Sequence, residues 1–192
     1  MIVGSILLAF GLQAWWDESR ERVEEQEYFV ALLDDIDAVI SEANRTVALN
    51  DSTTERSRQR IAAVEALRAA PDSIPTQIIF RLRANLDTYD DIISSGSVTQ
   101  LRDPNVRHLL AILRAEMDFE RLAFEQAVAR FGMDGSTLMG AHGAGAPNLW
   151  SMSVQAEKLG NMWRDIHVAR KRDVIRTAKD AREAILAAIK GA

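Results

Sequence analysis

Residues 17–49 read DESRERVEEQEYFVALLDDIDAVISEANRTVAL, and this stretch decides the fold. Its apolar residues recur at steps of three and four, at Phe29, Leu32, Leu33, Ile36, Val39, Ile40, Ala43 and Val47. This spacing places apolar side chains along one side of an α-helix, with charged side chains on the other. The stretch therefore predicts a long amphipathic helix that packs against other helices.

An uncharged run, MIVGSILLAFGLQAWW, precedes this helix at residues 1–16 and ends in Trp15 and Trp16. The next eleven residues contain eight charged side chains. Because tryptophan rings favour the headgroup level of a bilayer, Trp15 and Trp16 are predicted to be membrane-interface anchors of a transmembrane helix over residues 1–16. Sixteen residues cover roughly 24 Å of a hydrocarbon core of about 30 Å. We therefore expect the natural chain to begin upstream of Met1.

Two alternatives exist for this uncharged run. A cleaved signal peptide needs a basic N-terminal region and a small-x-small cleavage site, which Leu12-Gln13-Ala14 before two tryptophans fits poorly. A buried core helix would carry its apolar residues on one side, whereas those of residues 3–12 point all around the axis. The transmembrane interpretation, with the helix continuing into residues 17–49 as a rigid stalk, is favoured.

The remainder of the chain predicts further helices and no strand. The predicted segments are a polar turn at 50–54, a helix to about residue 70, a connector at 71–75, a helix over 76–93, a Ser-Gly turn at 94–97, a helix over 104–131, a glycine-rich loop at 132–148 and a helix over 153–190. Asp103-Pro104 is the clearest helix start, since Asp accepts from free N–H groups and Pro suits the first helical position. The predicted fold is all-α: residues 17–192 form an antiparallel bundle of four or five helices after the anchor.

Composition excludes several classes of function. The chain has no cysteine, which rules out disulfides, thiolate metal sites and cysteine nucleophiles. Residues 17–70 hold seven basic and thirteen acidic side chains. This acidic balance argues against binding of nucleic acid, which requires a basic surface.

The last predicted helix combines an apolar stripe with the main concentration of basic residues. The stripe comprises Leu159, Met162, Trp163, Ile166, Ala178, Ile185 and Ile189. The basic residues are Arg164, Arg170, Lys171, Arg172, Arg176, Lys179 and Arg182. Interleaved acidic residues favour a salt-bridged surface helix, which docks against the acidic helices of residues 17–70 or meets anionic lipid. His167, one turn from Trp163, either lines a pocket or, as we favour, is an interior or surface histidine whose ring nitrogens are hydrogen-bonded.

One acidic cluster is a weak candidate for a cation-binding face. Asp87, Asp90 and Asp91 share one side of a predicted helix, and carboxylates are the ligands that hard cations prefer. The favoured alternative is a solvated helix face. No metal-site, phosphate-loop or nucleophile-elbow motif is present, so neither a cofactor nor a catalytic residue is predicted.

Several of these stretches resemble a bacterial family of small, single-pass, membrane-anchored helical proteins of unknown function. The matching stretches are the run ending in Gln-Ala-Trp-Trp, the Arg/Glu-rich residues 17–22, the helix around Leu32-Leu33-Asp34-Asp35-Ile36, and residues 89–97 with the Ser-Gly turn. The resemblance covers about the first 115 residues. It implies a protein of the bacterial inner membrane with its helical domain outside the cytoplasm, and it implies no site residue.

These observations predict a non-enzymatic, membrane-anchored interaction or scaffold domain. Its expected partners are the lipid bilayer and a protein, either another molecule or a second copy of the chain. One alternative is a sensory ligand-binding bundle without its own output module. The other is an enzyme that uses the bundle carboxylates Asp87, Asp90 and Asp91.

Overall fold

Helices form every regular element in the part of the chain that the structure, a computed structural model, describes. The described residues are 2–67, 79–131 and 149–191. They form α1 (Ile2–Leu67), α2 (Asp87–Ser94), a short 3-10 helix (Ser97–Gln100), α3 (Pro104–Phe131) and α4 (Leu149–Gly191). Within these ranges there is no strand, and the predicted all-α helical bundle is confirmed.

The structure does not support the predicted transmembrane helix. Among the described helices, none has an apolar stretch long enough to cross a membrane. The run before Asp17 is helical from Ile2 and continues into residues 17–49 without a break, as the stalk prediction required.

The predicted polar turn at 50–54 is wrong, because α1 passes through these residues. Their side chains bond to carbonyl groups about one turn earlier in the helix: Asn50 Nδ2 donates to Thr46 O at 2.8 Å, and Thr53 Oγ1 donates to Leu49 O at 2.8 Å. Residues that favour turns are tolerated inside a helix when their polar groups are bonded in this way.

The helix predicted over 76–93 is also wrong for most of its described length. Residues 79–86 are not helical, and α2 begins only at Asp87. The Asn50 side chain accepts a hydrogen bond from Phe80 N at 3.2 Å and donates to Phe80 O at 3.5 Å. These bonds occupy backbone groups that a helix would use. Asp35 Oδ2 accepts a hydrogen bond from Thr88 N at 2.8 Å, which gives a partner to one of the free backbone N–H groups in the first turn of α2.

Other predicted boundaries are confirmed. Gly96 adopts a left-handed conformation, with φ of 75°, where the Ser-Gly turn follows α2. Asp103 Oδ1 accepts from the backbone N–H groups of Asn105 and Val106 at 2.8 and 3.3 Å, and α3 runs from Pro104 to Phe131 as predicted. The last helix begins at Leu149, four residues before the prediction. The glycine-rich loop at 132–148 lies outside the described residues.

The chain divides into two units. The first unit comprises Met1–Val39, Asn85–Leu113 and Thr177–Ala192, and the second comprises Ile40–Ala84 and Arg114–Arg176. The buried apolar residues of the first unit are Phe29, Leu32, Ile36, Val39, Leu86, Tyr89, Ile92, Leu101, Val106, Leu110, Leu113, Ala178, Ala181 and Ile185. These residues confirm the apolar side predicted for residues 29–39.

Ten of the buried apolar residues in the described part of the chain belong to the second unit, and some of them form small clusters. One consists of Ile61, Val64 and Val154. Another consists of Ile79 and Ala127, with the partly buried Phe124 and Trp163 packed against them. Much of the remaining interior of this unit is polar.

Candidate functional site

Residues 11–23 of α1 are exposed on every side. All residues from Gly11 to Val23 are exposed, and Trp15 and Trp16 retain 62% and 67% of their accessible surface. Two of its ion pairs, Arg22–Glu18 at 2.7 Å and Arg20–Glu24 at 3.1 Å, lie along the helix surface, and a third joins Glu21 to Arg102 at 2.7 Å. Such pairs add only a few tenths of a kcal/mol each. Isolated helices are marginal in water, so this exposed segment is the clearest candidate in the first unit for contact with another surface.

The three candidate carboxylates lie on the short helix α2 and form no metal site. Asp87 and Asp90 are in its first turn, where negative charge is favourable, and Asp91 is exposed. In the described part of the chain, no three His, Cys, Asp or Glu side chains are placed to hold a metal ion.

The predicted apolar stripe of α4 is confirmed at Ala178 and Ile185, which are fully buried in the first unit, and at Trp163, which packs partly buried in the second, but not at Leu159, Met162 and Ile166. Leu159, Met162 and Ile166 are 38%, 49% and 42% exposed. In the second unit the buried side of α4 combines the polar residues Glu157, Asn161, Arg164, His167 and Lys171 with the apolar Val154, Val168 and Val174. Because charged residues are almost never fully buried unless paired, apolar spacing alone did not reveal that polar residues form part of this buried side.

Some of the predicted basic surface is confirmed. Arg172 pairs with Asp51 of α1 at 3.3 Å, and Arg182 pairs with Asp37 at 2.8 Å, so basic residues of α4 do dock against acidic residues of α1. Arg170 lies over the Phe119 ring at 4.7 Å. The surface prediction is wrong for Arg164 and Lys171, which are 1% and 0% exposed.

Arg164 belongs to a buried network between α1 and α4. Its Nε donates to Thr54 Oγ1 at 3.2 Å, and its Nη2 donates to Asn161 Oδ1. Near this group, Glu157 accepts from Ser57 Oγ at 2.7 Å and pairs with Arg60 at 2.9 Å. Burial lowers the pKa of the Arg164 guanidinium, and the charge of Glu157 only partly offsets this.

A second buried group joins α3 and α4. Lys171 Nζ donates to Glu120 Oε1 at 2.5 Å, and both side chains are almost completely buried. Burial lowers the pKa of Lys171, and the Glu120 carboxylate partly opposes that effect. Burial alone would raise the pKa of Glu120, but His167 and Lys171 outweigh it and lower that pKa. The two charges therefore stabilise each other where both side chains are buried.

His167 lies beside this ion pair. Its Nδ1 is 3.7 Å from Glu120 Oε1, which exceeds hydrogen-bond distance, and its ring packs edge-on against Phe124 with centroids 6.2 Å apart. Neither ring nitrogen has a hydrogen-bond partner among the described residues, although the side chain is fully buried. The predicted interior position of His167 is thus confirmed, but the predicted hydrogen bonds to its ring nitrogens are not found among the described residues.

The buried polar residues of α1 complete the interior of the second unit. They are Thr46, Asn50, Thr53, Thr54 and Ser57. Sequence reasoning missed them because their composition is typical of a turn. The signal that could have found them is spacing, since steps of three and four continue the rhythm of the apolar residues before them.

Each unit also has an open surface groove. In the second unit, a groove of about 430 Å³ runs between α1 and α4, lined by Arg58, Glu65, Lys158, Asp165 and the apolar Ile61 and Met162 among others. Asn161 lines this groove and also bonds Arg164, so it connects the surface to the buried network. In the first unit, a groove of about 520 Å³ includes Arg22, Glu25 and Arg102, and Arg102 N donates to Glu25 Oε1 at 2.6 Å.

The chain matches no known protein family, and no curated protein or solved structure is significantly similar to it. The resemblance to single-pass bacterial membrane proteins therefore stays a prediction.

Proposed function

We propose that this protein is a non-enzymatic helical interaction domain, held at a bilayer by the N-terminal end of α1. The observation that carries the proposal is the complete exposure of Gly11–Val23, including both tryptophans. A helix end that exposes large apolar side chains is a surface that lipid can cover. The domain that it positions is built from long helices with exposed charged faces.

Charge distribution supports attachment through this end. The uncharged run of residues 1–16 is followed at once by the charged residues 17–27, which favours insertion up to Trp16 and no further. Trp15 and Trp16 then lie at headgroup level. The proposed location is the bacterial inner membrane with the domain outside the cytoplasm, as the family resemblance implies.

Vesicle extraction tests this proposal. The full chain is incorporated into phospholipid vesicles, washed with alkaline carbonate and floated, and we expect it to remain with the lipid. Leu8→Asp should release much of it, because a charged residue at the centre of an inserted helix costs about 2.5–3.5 kcal/mol. The control Leu122→Asp alters an exposed apolar side chain of the second unit and should leave retention unchanged. Release of the unaltered chain by carbonate would contradict the proposal.

The buried polar network favours a second candidate function, a sensory ligand-binding bundle. Interior polar groups retained at the expense of apolar packing are expected at functional sites. The test is thermal unfolding with acetate, glycine, glutamate or Mg²⁺, each at millimolar concentration. A ligand present at 100 times its dissociation constant adds about 2.7 kcal/mol, which raises the melting temperature measurably. A rise in melting temperature that Asn161→Ala abolishes would support the sensory function. If none of the four compounds raised the melting temperature, this function would be excluded. No observation on the described residues favours an enzyme that uses Asp87, Asp90 and Asp91.

A further inference from the structure

The exposed side of α1 in the first unit carries an apolar stripe with a repeat of seven residues. Trp16, Val23 and Val30 are 67%, 54% and 58% exposed. Val23 lies nine residues before Leu32, and Val30 lies nine before Val39. At about 100° per residue this offset is half a revolution, so the stripe lies opposite the fully buried Leu32 and Val39. The core of the first unit therefore does not use it.

Seven-residue spacing is the pattern by which one helix packs along another. In a heptad, Trp16, Val23 and Val30 are successive a positions, and Leu12, Ser19, Gln26 and Leu33 are the d positions. β-branched residues at a favour two-stranded coiled coils. The polar Ser19 and Gln26 reduce affinity but fix the alignment, as polar layers in such seams do.

The charges beside the stripe indicate what covers it. In a parallel pair of helices, the residue before an a position faces the residue five positions later on the other helix. Arg22 of one copy would thus face Glu27 of the other, and symmetry repeats the contact. Both side chains are exposed, and Arg22 bonds Glu18 of its own helix at 2.7 Å, a surface pair that costs little to rearrange. The Arg22–Glu27 contact is therefore attractive in the parallel arrangement, and the two other contacts of this kind, Trp15–Arg20 and Phe29–Asp34, bring no like charges together.

The stripe also has a defined end. The next a position, Asp37, pairs with Arg182 of α4 at 2.8 Å and is part of the first unit's own surface. We propose that two copies of this chain associate in parallel through the face of α1 that carries Trp16, Val23 and Val30. The parallel alignment rests on the proposed bilayer attachment, which places both N-termini on the same side and raises their local concentration.

Because these 192 residues include no cysteine, single cysteine substitutions report this contact directly. Val23→Cys and Gln26→Cys are each made in the full chain, incorporated into vesicles and, separately, into detergent micelles, then oxidised. Both variants should form disulfide-linked dimers. Glu24→Cys is the matched control, since the Glu24 side chain is 41% exposed but lies about 100° around the helix from Val23. It should form several-fold less dimer.

Exchanging the charges of Arg22 and Glu27 tests whether a second copy of the chain covers the stripe and whether the two helices align as proposed. In the Val23→Cys background, Arg22→Glu or Glu27→Arg alone should lower the dimer fraction about two- to five-fold, and the two together should restore it. Equal dimer fractions for Val23→Cys and Glu24→Cys, or no recovery in the combined charge variant, would overturn the proposal. The proposal would also be overturned if the Val23→Cys variant stayed monomeric and its thiol were protected from a water-soluble maleimide. That result would show that lipid covers the stripe.

Flotation of the same samples separates this proposal from the bilayer attachment. A monomer that floats with the vesicles contradicts only the dimer. A dimer that forms in micelles but does not float with vesicles contradicts only the attachment.

Discussion

The interior of the first unit is almost wholly apolar, whereas the interior of the second unit mixes apolar side chains with polar and charged ones. Of the thirteen buried polar or charged residues in the described part of the chain, eleven belong to the second unit. The first unit contributes only Glu25 and Thr177, and its interior is formed by apolar side chains that are mostly fully buried. The same three long helices supply both interiors, so the difference comes from side chains rather than from the type of element.

The two units therefore hold their helices together by different interactions. Apolar burial in the first unit contributes about 25 cal/mol per Å² and requires no particular pairing. In the second unit each buried charge must find its partner, and desolvation of an ion pair offsets much of the attraction between its members. We infer that the first unit contributes more of the stability, and that the second retains its polar interior for a reason other than stability.

The largest expected effect comes from breaking the buried ion pair. Lys171→Met leaves the Glu120 carboxylate buried without its partner, which should cost about 3–5 kcal/mol of unfolding free energy, measured by urea denaturation. Lys179→Met, at an exposed position on the same helix, is the control and should change stability by less than about 0.5 kcal/mol. Equal effects of the two substitutions would show that the pair is not buried in solution.

Truncation in the apolar interior should come next in size. Leu32→Ala removes a fully buried side chain from the first unit and should cost about 2–5 kcal/mol, since a cavity remains where the side chain packed. Leu122→Ala, at a half-exposed leucine of the second unit, should cost far less in the same urea titration. A smaller loss at Leu32 than at Leu122 would reverse the assignment of core and surface.

A third effect distinguishes two asparagines of α1 that make the same helical bond. Asn44 and Asn50 both donate to the carbonyl four residues earlier at 2.8 Å, but only Asn50 is buried and also bonds Phe80. Asn50→Ala leaves the Phe80 N–H without its partner and should cost about 1–3 kcal/mol. Asn44→Ala should be nearly neutral by thermal unfolding. Similar losses of stability at both sites would show that the Asn50–Phe80 hydrogen bonds do not stabilise the fold.

The pH dependence should be the smallest of these effects. The pKa of Glu120 is lowered from its ordinary value of 4.5, so the unfolded chain takes up this proton at higher pH than the folded one. Its stabilisation is therefore complete above pH 4.5 and is lost as the pH falls through the folded pKa. Between about pH 5 and pH 3, the melting temperature of the natural chain should fall more steeply than that of Glu120→Gln. Parallel curves would show that Glu120 is not stabilised as a carboxylate.

The sequence predicted helices wherever apolar spacing and cap residues agreed. Phe29 to Val39 indicated the buried side of α1, and Asp103-Pro104 indicated the start of α3, because both signals are local. The candidate site was harder to predict. Asn50 and Thr54 have turn-like composition, yet they lie within a helix because they bond an earlier carbonyl, Phe80 or Arg164. Arg164 and Lys171 are buried because partners distant in the sequence neutralise or bond them, and no local rule contains that information.

The most direct test of the contrast between the two interiors replaces both members of the buried pair at once. In Glu120→Leu/Lys171→Met, apolar side chains of similar size occupy the positions of the two charges. If the charged interior is not retained for stability, the unfolding free energy of this double variant should equal or exceed that of the natural chain, by as much as about 1–4 kcal/mol. A loss of about 3 kcal/mol or more in the double variant is the size expected from breaking the pair. Such a loss would contradict the claim that the charged interior is not retained for stability.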